Sequence, residues 1–554
     1  MIYPTLQKAD VTEWIAFSPK IISVEGYESE FAKEILNEYM QNECKGDTLY
    51  IVICKENTKR TEYIDEAYSI TDEKYFVTGQ KYDGSFKLNI TVSGKKSLFR
   101  ACNTVARMIA DKCFPLGTIE DYPLFTKRGY IEGFYGKPWS HQNRKSTLEM
   151  MSFYGMNTYY YAPKDDPYHR DKWDEPYPEK ELSQLREISE LCNKKFVDFY
   201  FCIAPGLSMK YSSKEDFNKL KCKVNQLYSI GITKFGLLVD DIPENLYFEE
   251  DKAAFGGEAV NAHIYLINEF YSYLKSLDNN CRLTVCPLLY HGSGEEYYIS
   301  KLGRSIPADV SVFWTGKNVC SQELTAKEAI VFENSTNHKP LYWDNFPVND
   351  AEMYNEMHIG YINGRDRDLY RFSDGIISNT MEYCLSSQIP LLTFCDYLWN
   401  PLAYNGFESW QKACKTVLKE HYEALMPFLD NLLTSCLRVE NSPMMNLALN
   451  AAQQLLYAGD AQGAYAVVAE YGQGLKKCCE YLKTVDIPII SELEPWIEKQ
   501  CLASNIIDSS LSFLRDHSEE NRKKVKDALQ NYKDNPKVLC DFLLQAFAER
   551  VQTL

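Results

Sequence analysis

The sequence predicts an α/β fold class, with a central (β/α)8 TIM barrel between a small N-terminal α/β domain and a C-terminal all-α helical bundle. Eight apolar runs alternate with helical patterns from about residue 128 to residue 400, and strand and helix signals mix before them. Strand signals vanish after Pro401, and a chain of 554 residues needs more than one core. We place the domains at residues 1–122, 123–402 and 403–554.

The N-terminal domain contains two clear strand patterns and one helix. Thr48–Lys55 is almost continuously apolar and predicts a buried strand, whereas Lys87–Val92 alternates and predicts a half-exposed strand. Ser97 is expected to cap the helix that follows, and this helix ends before Pro115. Because no catalytic constellation is visible here, we expect the domain to have a packing or supporting role.

The barrel is predicted from apolar runs spaced as successive βα units require. The predicted strands are Gly129–Phe134, Thr158–Tyr161, Val197–Ile203, Phe235–Val239, Arg282–Cys286, Val310–Trp314, Pro340–Trp343 and Gly375–Ser378. Helical patterns lie between them, for example at Lys180–Cys192, Phe217–Tyr228 and Val260–Leu277.

The C-terminal domain contains helical patterns only. Ser442–Pro443 predicts a helix N-terminus, and Gly459 predicts the end of that helix. Its apolar stripe is predicted at Met444, Leu447, Ala448, Ala451 and Leu455. Further helices are expected at about 405–433, 461–484, 492–515, 519–531 and 536–552. Apolar stripes of this kind are most simply explained as the buried core of the helical domain, although a dimer contact or a wall of the substrate groove is an alternative.

Polar, aromatic and glycine residues follow the predicted barrel strands where each strand ends. The carboxyl ends of parallel strands share one face of a barrel, which is where such folds place their chemistry. These strand ends are Glu132–Gly136, Pro163–Asp166, Asp240–Asp241, Pro287 with Tyr290, Trp314–Gly316, Trp343–Asn345 with Asn349–Asp350, and Asn379. We therefore predict a functional cleft at this face, although a single polar strand end is commonly only a cap.

The adjacent carboxylates Asp240 and Asp241 are the candidate catalytic pair. Alone, the pair is more simply explained as a solvated strand end. Their Cα atoms lie ~3.8 Å apart, which fits poorly with a double-displacement glycosidase, whose two carboxylates stand ~5–5.5 Å apart on different sides of the anomeric carbon. The pair suits a 2-acetamido sugar that supplies its own nucleophile. One Asp then orients the acetamide, while the other protonates the leaving oxygen and can hold a proton near neutral pH.

Other strand-end side chains fit sugar recognition. Trp343 and Tyr135 offer flat walls for the apolar face of a pyranose, and Tyr290 can donate its hydroxyl to the acetamide oxygen. Groups suited to the sugar hydroxyls or the acetamide are those of Lys164, Asn345, Asp350 and Asn379.

Four motifs at these positions resemble the family 84 glycoside hydrolases, retaining β-N-acetylglucosaminidases that include the enzymes removing O-linked GlcNAc from proteins. The motifs are Arg128–Trp139, Tyr161–Arg170, Leu238–Ile242, and Trp343–Asn345 with Asn349–Asp350. The resemblance implies that Asp240 orients and polarises the acetamide, and that Asp241 is general acid and then general base. The residues expected to bind substrate are Gly133, Tyr135, Lys164, Tyr290, Thr315, Trp343, Asn345, Asp350 and Asn379.

The layout around the barrel also resembles bacterial members of the family, whose N-terminal domain is like the accessory domain of family 20 hexosaminidases. Val239, Leu288–Leu289 and Ser378–Glu382 depart from the family pattern. They lie near the predicted pocket, so we expect them to affect the preference for the aglycone.

The composition of the chain limits the classes of molecule that the protein is expected to bind. A net charge of −17 argues against nucleic acid or an anionic membrane. The 18 cysteines contain no C-x-x-C and the 8 histidines no H-E-x-x-H or H-x-H, so we predict no disulfide scaffold, no metal site and no cofactor. No signal core or membrane span is visible, which predicts a cytoplasmic protein, or a secreted one if a leader was trimmed. The expected partner is a terminal β-linked GlcNAc on a glycan, glycopeptide or glycoprotein, bound by a monomer or homodimer.

Three alternatives remain open from the sequence. The first is an endo-acting, hyaluronidase-like glycosidase, which the acidic charge weakly disfavours. The second is a metal-dependent hydrolase with Asp240, Asp241 and Asp344 as oxygen ligands, whose activity chelators would abolish. The third is an inactive glycan-binding protein, against which the intact aspartate pair argues.

Overall fold

The computed structural model describes residues 2–38, 47–56, 72–82, 85–437 and 442–553. Within them an N-terminal mixed sheet precedes a closed barrel of eight parallel strands, and helices follow. This confirms the predicted fold class, while the residue boundaries between the domains stay a prediction. No helix in the described ranges is long and apolar enough to cross a membrane.

The N-terminal domain is a six-stranded sheet with two helices. The strands are β1 Lys8–Ala16, β2 Pro19–Gly26, β3 Asp47–Lys55, β4 Tyr75–Tyr82, β5 Ser85–Val92 and β6 Cys113–Asp121, and the helices are α1 Ser29–Asn37 and α2 Lys95–Ala110. The strand order is β1-β6-β4-β5-β3-β2. The predicted cap was wrong, because Gly94 is the N-cap of α2 and Ser97 lies two residues inside the helix. The Ser97 hydroxyl instead accepts the Gly94 N–H at 3.0 Å.

Buried ion pairs join this domain to the barrel. The Glu73 carboxylate accepts a hydrogen bond from Arg100 of α2 at 2.7 Å and from Arg128 at 2.8 Å. Arg100 also donates to the carbonyl oxygen of Ser152 at 2.7 Å. All three charged side chains are buried, so the two guanidinium groups depend on the shared carboxylate for their ion pairs, and these pairs fix the sheet domain against the barrel.

The barrel strands are β7 Lys127–Glu132, β8 Thr158–Tyr161, β9 Asp198–Ile203, β10 Lys234–Leu238, β11 Arg282–Cys286, β12 Ser311–Trp314, β13 Pro340–Asp344 and β14 Gly375–Asn379. All eight predicted strands are present, with ends shifted by no more than two residues. The barrel closes in the order β10-β11-β12-β13-β14-β7-β8-β9. Its helices are α3 His141–Phe153, α4 Glu179–Lys194, α5 Lys214–Ser229, α6 Glu249–Phe255, α7 Ala259–Leu277, α8 Tyr297–Ser305, α9 Ala326–Thr336 and α10 Cys384–Trp399.

Aromatic side chains fill the barrel below its carboxyl face. The rings of Tyr160 and Tyr200 stack with centroids 4.3 Å apart, and the Tyr160 hydroxyl shares a hydrogen bond of 2.9 Å with Thr284. Phe313 packs edge-on against Trp343, with centroids 5.2 Å apart. Because this layer is closed, polar residues at the strand ends project away from it, toward the face where the strands end.

The C-terminal helices are α11 Gly406–Leu418, α12 Tyr422–Asn431, α13 Pro443–Tyr457, α14 Ala461–Leu482, α15 Ile490–Asp516, α16 Glu519–Asp534 and α17 Asp541–Gln552. The helix predicted over 405–433 is therefore two helices, and α17 begins later than predicted. Pro443 is the first residue of α13 as expected, but the Ser442 side chain does not cap it. Asp430 of α12 does so instead, accepting the Met444 N–H at 3.1 Å.

The apolar stripe predicted for α13 was wrong by about one position. Met444 and Leu447 are 42% and 75% exposed. The buried face runs through Met445, Leu449 and Ala452. Apolar residues occur on more than one side of this helix, so the neighbouring helices decide which side is covered.

Candidate active site

One cavity of about 250 Å³ lies at the carboxyl face of the barrel, and it brings the predicted site residues together. Both candidate catalytic residues and all nine residues expected to bind substrate line it: Gly133, Tyr135, Lys164, Asp240, Asp241, Tyr290, Thr315, Trp343, Asn345, Asp350 and Asn379. They come from seven different strand ends, which only the closed barrel brings to one place.

Asp240 lies just after β10 and is buried at the floor of the cavity. Its Oδ2 accepts a hydrogen bond from the Lys164 ammonium at 2.8 Å. Its Oδ1 is also buried and has no hydrogen-bond partner among the described residues. A buried acceptor without a donor costs about 1–3 kcal/mol, so this oxygen is suited to an N–H group brought by a ligand.

Asp241 turns its carboxylate toward the same cavity because its backbone is left-handed, with φ of 53°. In an extended strand two successive side chains point to opposite faces. The turn at Asp241 removes this alternation. Its carboxylate accepts hydrogen bonds from the hydroxyl of Tyr135 at 2.9 Å and from that of Tyr290 at 3.2 Å. Both carboxylates of the pair can therefore face one ligand.

Lys164 contacts both carboxylates of the pair. Its Nζ lies 2.8 Å from Asp240 and 3.4 Å from Asp241. Burial disfavours the ammonium, but both carboxylates outweigh it and raise the pKa of Lys164, so this side chain remains a cation. Burial likewise disfavours the Asp241 carboxylate, but Lys164 and the hydrogen bonds from Tyr135 and Tyr290 leave the pKa of Asp241 below its ordinary value. Asp241 is thus ionised in this structure, and the expected proton near neutral pH depends on a change at the site.

Arg170 is a site residue that lies within a recognised motif but was not predicted to have a role. Its guanidinium donates to the Tyr135 hydroxyl at 2.9 Å and to the backbone carbonyl of Asp241 at 3.2 Å. It therefore holds both the tyrosine that contacts the carboxylate and the strained turn that carries the carboxylate. Its position at the end of the Tyr161–Arg170 motif was the available signal.

Asn345 and Asn379 form a hydrogen-bonded wall. The Asn345 side-chain oxygen accepts from Trp343 Nε1 and from Asn379 Nδ2, both at 2.9 Å. The Asn379 oxygen in turn accepts the Gly133 N–H at 3.1 Å. A Cβ on Gly133 would lie 2.4 Å from a Trp343 ring atom, so only glycine permits this approach. These residues therefore position one another.

Asp350 and Thr315 complete the polar rim. The Asp350 carboxylate accepts the Tyr135 backbone N–H at 2.8 Å, and burial raises the pKa of Asp350. The Thr315 hydroxyl donates to the Asn318 carbonyl at 2.8 Å, and its N–H donates to the Tyr290 carbonyl at 2.8 Å. Thr315 therefore holds the segment that carries Tyr290, and its hydroxyl proton is already used within the protein.

The remaining lining is largely apolar and was missed from the sequence. It consists of Cys286, Phe313, Val319, Cys320, Val348, Ala351 and Met353. Most of these residues lie outside the strands and α-helices, in segments whose path the local sequence pattern does not specify.

The metal-hydrolase alternative is disfavoured by the partners of its third ligand. Asp344 is buried and forms a two-point ion pair with Arg365, at 2.9 and 2.6 Å. It does not line the cavity that holds Asp240 and Asp241. The Lys164 ammonium already contacts both carboxylates of the pair, so the three aspartates do not form one oxygen-ligand set.

Comparisons with known proteins agree with this geometry. The β-N-acetylglucosaminidase family model matches residues 128–430. The protein O-GlcNAcase of Rattus norvegicus is 29% identical over 291 residues, which are 51% of this chain and 30% of that relative. The chain therefore spans under a third of the length of this curated relative.

Two solved structures are similar over most of the chain. An O-GlcNAc hydrolase mutant of Thermobaculum terrenum is 31% identical with a TM-score of 0.73, covering 77% of this chain and 95% of that one. The protein CpGH84B is 26% identical with a TM-score of 0.83, covering 100% of both chains. Because the family model matches more than half of the chain and spans every residue of the cavity, the chain belongs to the β-N-acetylglucosaminidase family, family 84 of the glycoside hydrolases.

Proposed function

We propose that this protein is a retaining exo-β-N-acetylglucosaminidase that removes terminal β-linked GlcNAc, including O-GlcNAc-type substrates, through an oxazoline intermediate. The observation that carries the proposal is the buried, unpartnered Oδ1 of Asp240, next to a second carboxylate that faces the same cavity. An acetamide N–H fits this oxygen, and Asp241 remains free for proton transfer.

In the first step, the acetamide N–H donates to Asp240 and its carbonyl oxygen attacks the anomeric carbon. The bond to the aglycone oxygen breaks, and Asp241 gives that oxygen its proton. Burial and the nearby Asp241 raise the pKa of Tyr290, which keeps the hydroxyl protonated and able to donate to the acetamide oxygen. In the second step Asp241 takes a proton from water, whose oxygen attacks the anomeric carbon and opens the oxazoline. Two inversions at one carbon give net retention.

Asp241 has to become protonated when the substrate binds. The pKa of this carboxyl is low because burial is outweighed by Lys164 and by hydrogen bonds from the two tyrosines. When substrate binds, a sugar hydroxyl accepts a hydrogen bond from Lys164, and the Tyr290 hydroxyl turns toward the acetamide. Asp241 then loses two of its hydrogen-bond donors. The pKa of Asp241 then rises, because burial disfavours the carboxylate and fewer groups oppose it.

The cavity favours an exo-acting enzyme. Its volume of about 250 Å³ suits one sugar ring, below the ~300–1,000 Å³ typical of pockets for larger ligands. Lys164, Asn379, Asp350 and the Gly133 backbone are the proposed partners of the sugar hydroxyls. Trp343 and Tyr135 form the walls of the cavity. Asn345 is placed between the part that would hold the acetamide and the part that would hold the sugar hydroxyls.

Hydrolysis of an aryl β-N-acetylglucosaminide tests the proposal. Asp241→Asn should lose about 10²–10⁴-fold on a poor leaving group, the usual contribution of a general acid, and much less on a dinitrophenyl leaving group. Asp240→Asn should lose activity on both substrates, because the nucleophile is then no longer oriented. Glu244→Gln, on the exposed loop beyond the pair, is the control and should be unchanged. No hydrolysis by the wild-type protein would sink the proposal and favour an inactive glycan-binding protein.

A further inference from the structure

A second cluster of chemically reactive side chains lies outside the catalytic pair. Glu356 and His358 belong to the loop between β13 and β14, and Cys436 lies in the segment after α12. One carboxylate oxygen, one ring nitrogen and the thiol sulfur all lie within 4.8 Å of one another. We propose that these three residues form a binding site for a zinc ion, independent of the glycosidase chemistry.

The hydrogen bonds of His358 support this assignment. Its ring is buried, and Nδ1 lies 2.9 Å from the Val348 carbonyl and 3.2 Å from the Pro347 carbonyl. Both carbonyls accept only, so Nδ1 carries a hydrogen. The other nitrogen, Nε2, faces Glu356 Oε2 at 2.7 Å. A histidine that donates through one nitrogen to a backbone carbonyl and presents the other to anionic ligands has the orientation typical of metal-bound histidines.

The ligand chemistry selects zinc. A thiolate, an imidazole and a carboxylate are the three ligand types of zinc sites, at bond lengths of ~2.0–2.3 Å. Such bonds place tetrahedral ligand atoms roughly 3.3–3.8 Å apart. To bind zinc, the Glu356 carboxylate oxygen and His358 Nε2, now 2.7 Å apart, would move about an ångström further apart. The Cys436 sulfur, within 4.8 Å of both atoms, would move closer to them by no more than a similar distance. Cys436 is exposed, which leaves the fourth position open to water. Binding transfers the thiol proton to solvent.

The proposed zinc site is connected to the catalytic cavity through Val348. His358 holds the Val348 carbonyl, while the Val348 N–H donates to the Asn379 carbonyl at 2.9 Å. Val348 lines the cavity, and Asp350 is two residues further on. A metal at this site would therefore clamp the helical region, through Cys436, to the loop that carries part of the sugar-binding wall.

No metal site was predicted from the sequence, because the chain contains none of the short histidine spacings that typify one. Here the third ligand lies far along the chain from the Glu356-Met357-His358 stretch. Without a metal, the same side chains form a hydrogen-bonded cluster around the Glu356 carboxylate. His358 Nε2 lies 2.7 Å from Glu356 Oε2, and Cys436 donates to Glu356 both through its thiol and through its backbone N–H, the latter at 2.9 Å. The metal assignment differs in making the Cys436 sulfur a ligand rather than a hydrogen-bond donor.

Zinc titration of the full chain distinguishes these two possibilities. The chelator-treated, dialysed protein is titrated with Zn²⁺ against a chromophoric competitor, and metal content is measured on protein as purified. We expect one zinc per chain with a dissociation constant of about 1 µM or tighter. Zinc should also raise the melting temperature, and Co²⁺ should give a thiolate-to-metal absorption band.

Cys436→Ser should weaken zinc binding about 100-fold or more and abolish the cobalt band, because the thiolate is the soft ligand. Cys222→Ser, which changes another exposed cysteine on α5, should bind like the wild type. His358→Gln should also lose binding, with circular dichroism to verify folding. Absence of stoichiometric zinc, or binding by Cys436→Ser equal to that by wild type, overturns the proposal and leaves the metal-free hydrogen-bonded cluster. The readouts need no substrate, so they stand apart from the proposed hydrolase activity.

Discussion

Replacing Lys164 by methionine tests how the two carboxylates of the proposed catalytic pair are held. The side chains of Lys164 and Asp240 are 3% and 6% exposed, with Nζ and Oδ2 2.8 Å apart. At an effective dielectric constant of about 20, this contact has a gross attraction of about 6 kcal/mol. Desolvation cancels much of it, but removing one partner of a buried pair costs about 3–5 kcal/mol, because the other charge remains unpaired. We expect Lys164→Met to lower the free energy of unfolding by that amount.

The assay is a double-mutant cycle followed by urea unfolding at pH 7. It compares the wild type, Lys164→Met, Asp240→Asn and the double variant. The double variant should be more stable than the sum of the single losses by about 2 kcal/mol, since no uncompensated charge is left between the two positions. Lys172→Met is the control, because Lys172 is half exposed and its salt bridge, to the half-exposed Glu175, is 3.5 Å long. Its effect should be within about 1 kcal/mol.

Two outcomes would refute this reasoning. If the single losses are additive, Lys164 and Asp240 do not depend on each other energetically. If Lys164→Met is as stable as the wild type, Asp240 is not both buried and ionised in the folded protein. Either result would remove the basis for treating Asp240 as an anionic partner of the acetamide N–H.

Two further predictions concern the intermediate and a helix cap. A thiazoline-fused GlcNAc analogue, which mimics the closed acetamide, should inhibit strongly and bind Asp240→Asn about 100-fold or more weakly; equal binding to both would contradict substrate assistance. Burial raises the pKa of Asp430 to about 6, so the folded state prefers the protonated form, and stability should fall as pH rises from about 4 to 6. Asp430→Asn keeps the cap of α13 and should raise the free energy of unfolding at pH 7 by up to about 3 kcal/mol. The stability of this variant, measured by denaturant unfolding, should also vary less with pH, and an unchanged pH profile would contradict the raised pKa of Asp430.

The strands of the barrel were predictable because buried parallel strands are short apolar runs bounded by turn residues. The predicted substrate residues also line one cavity, because parallel strands in a barrel must end at one face. Arg170, Val319 and Cys320 were not assigned. The first is a long side chain that reaches across the cavity, and the others lie in a loop whose course depends on distant contacts.

The helical region was less predictable in detail. Its helices were expected at nearly the right positions, but Met444 and Leu447 were placed on the buried face and are exposed. The cap of α13 comes from Asp430 rather than from Ser442. Helical spacing identifies a helix and its possible faces, whereas neighbouring helices select which face is covered and which side chain reaches its end.

By itself, the sequence determined that Asp240 and Asp241 follow the fourth of eight strands, and that residues of matching chemistry follow the others. Only the tertiary structure decided that Asp241 turns toward the same cavity as Asp240, that Lys164 lies between the two carboxylates, and that Cys436 reaches His358. The first group of features follows from apolar periodicity, which is local. The second depends on contacts between segments far apart in the chain, and on the burial that those contacts create.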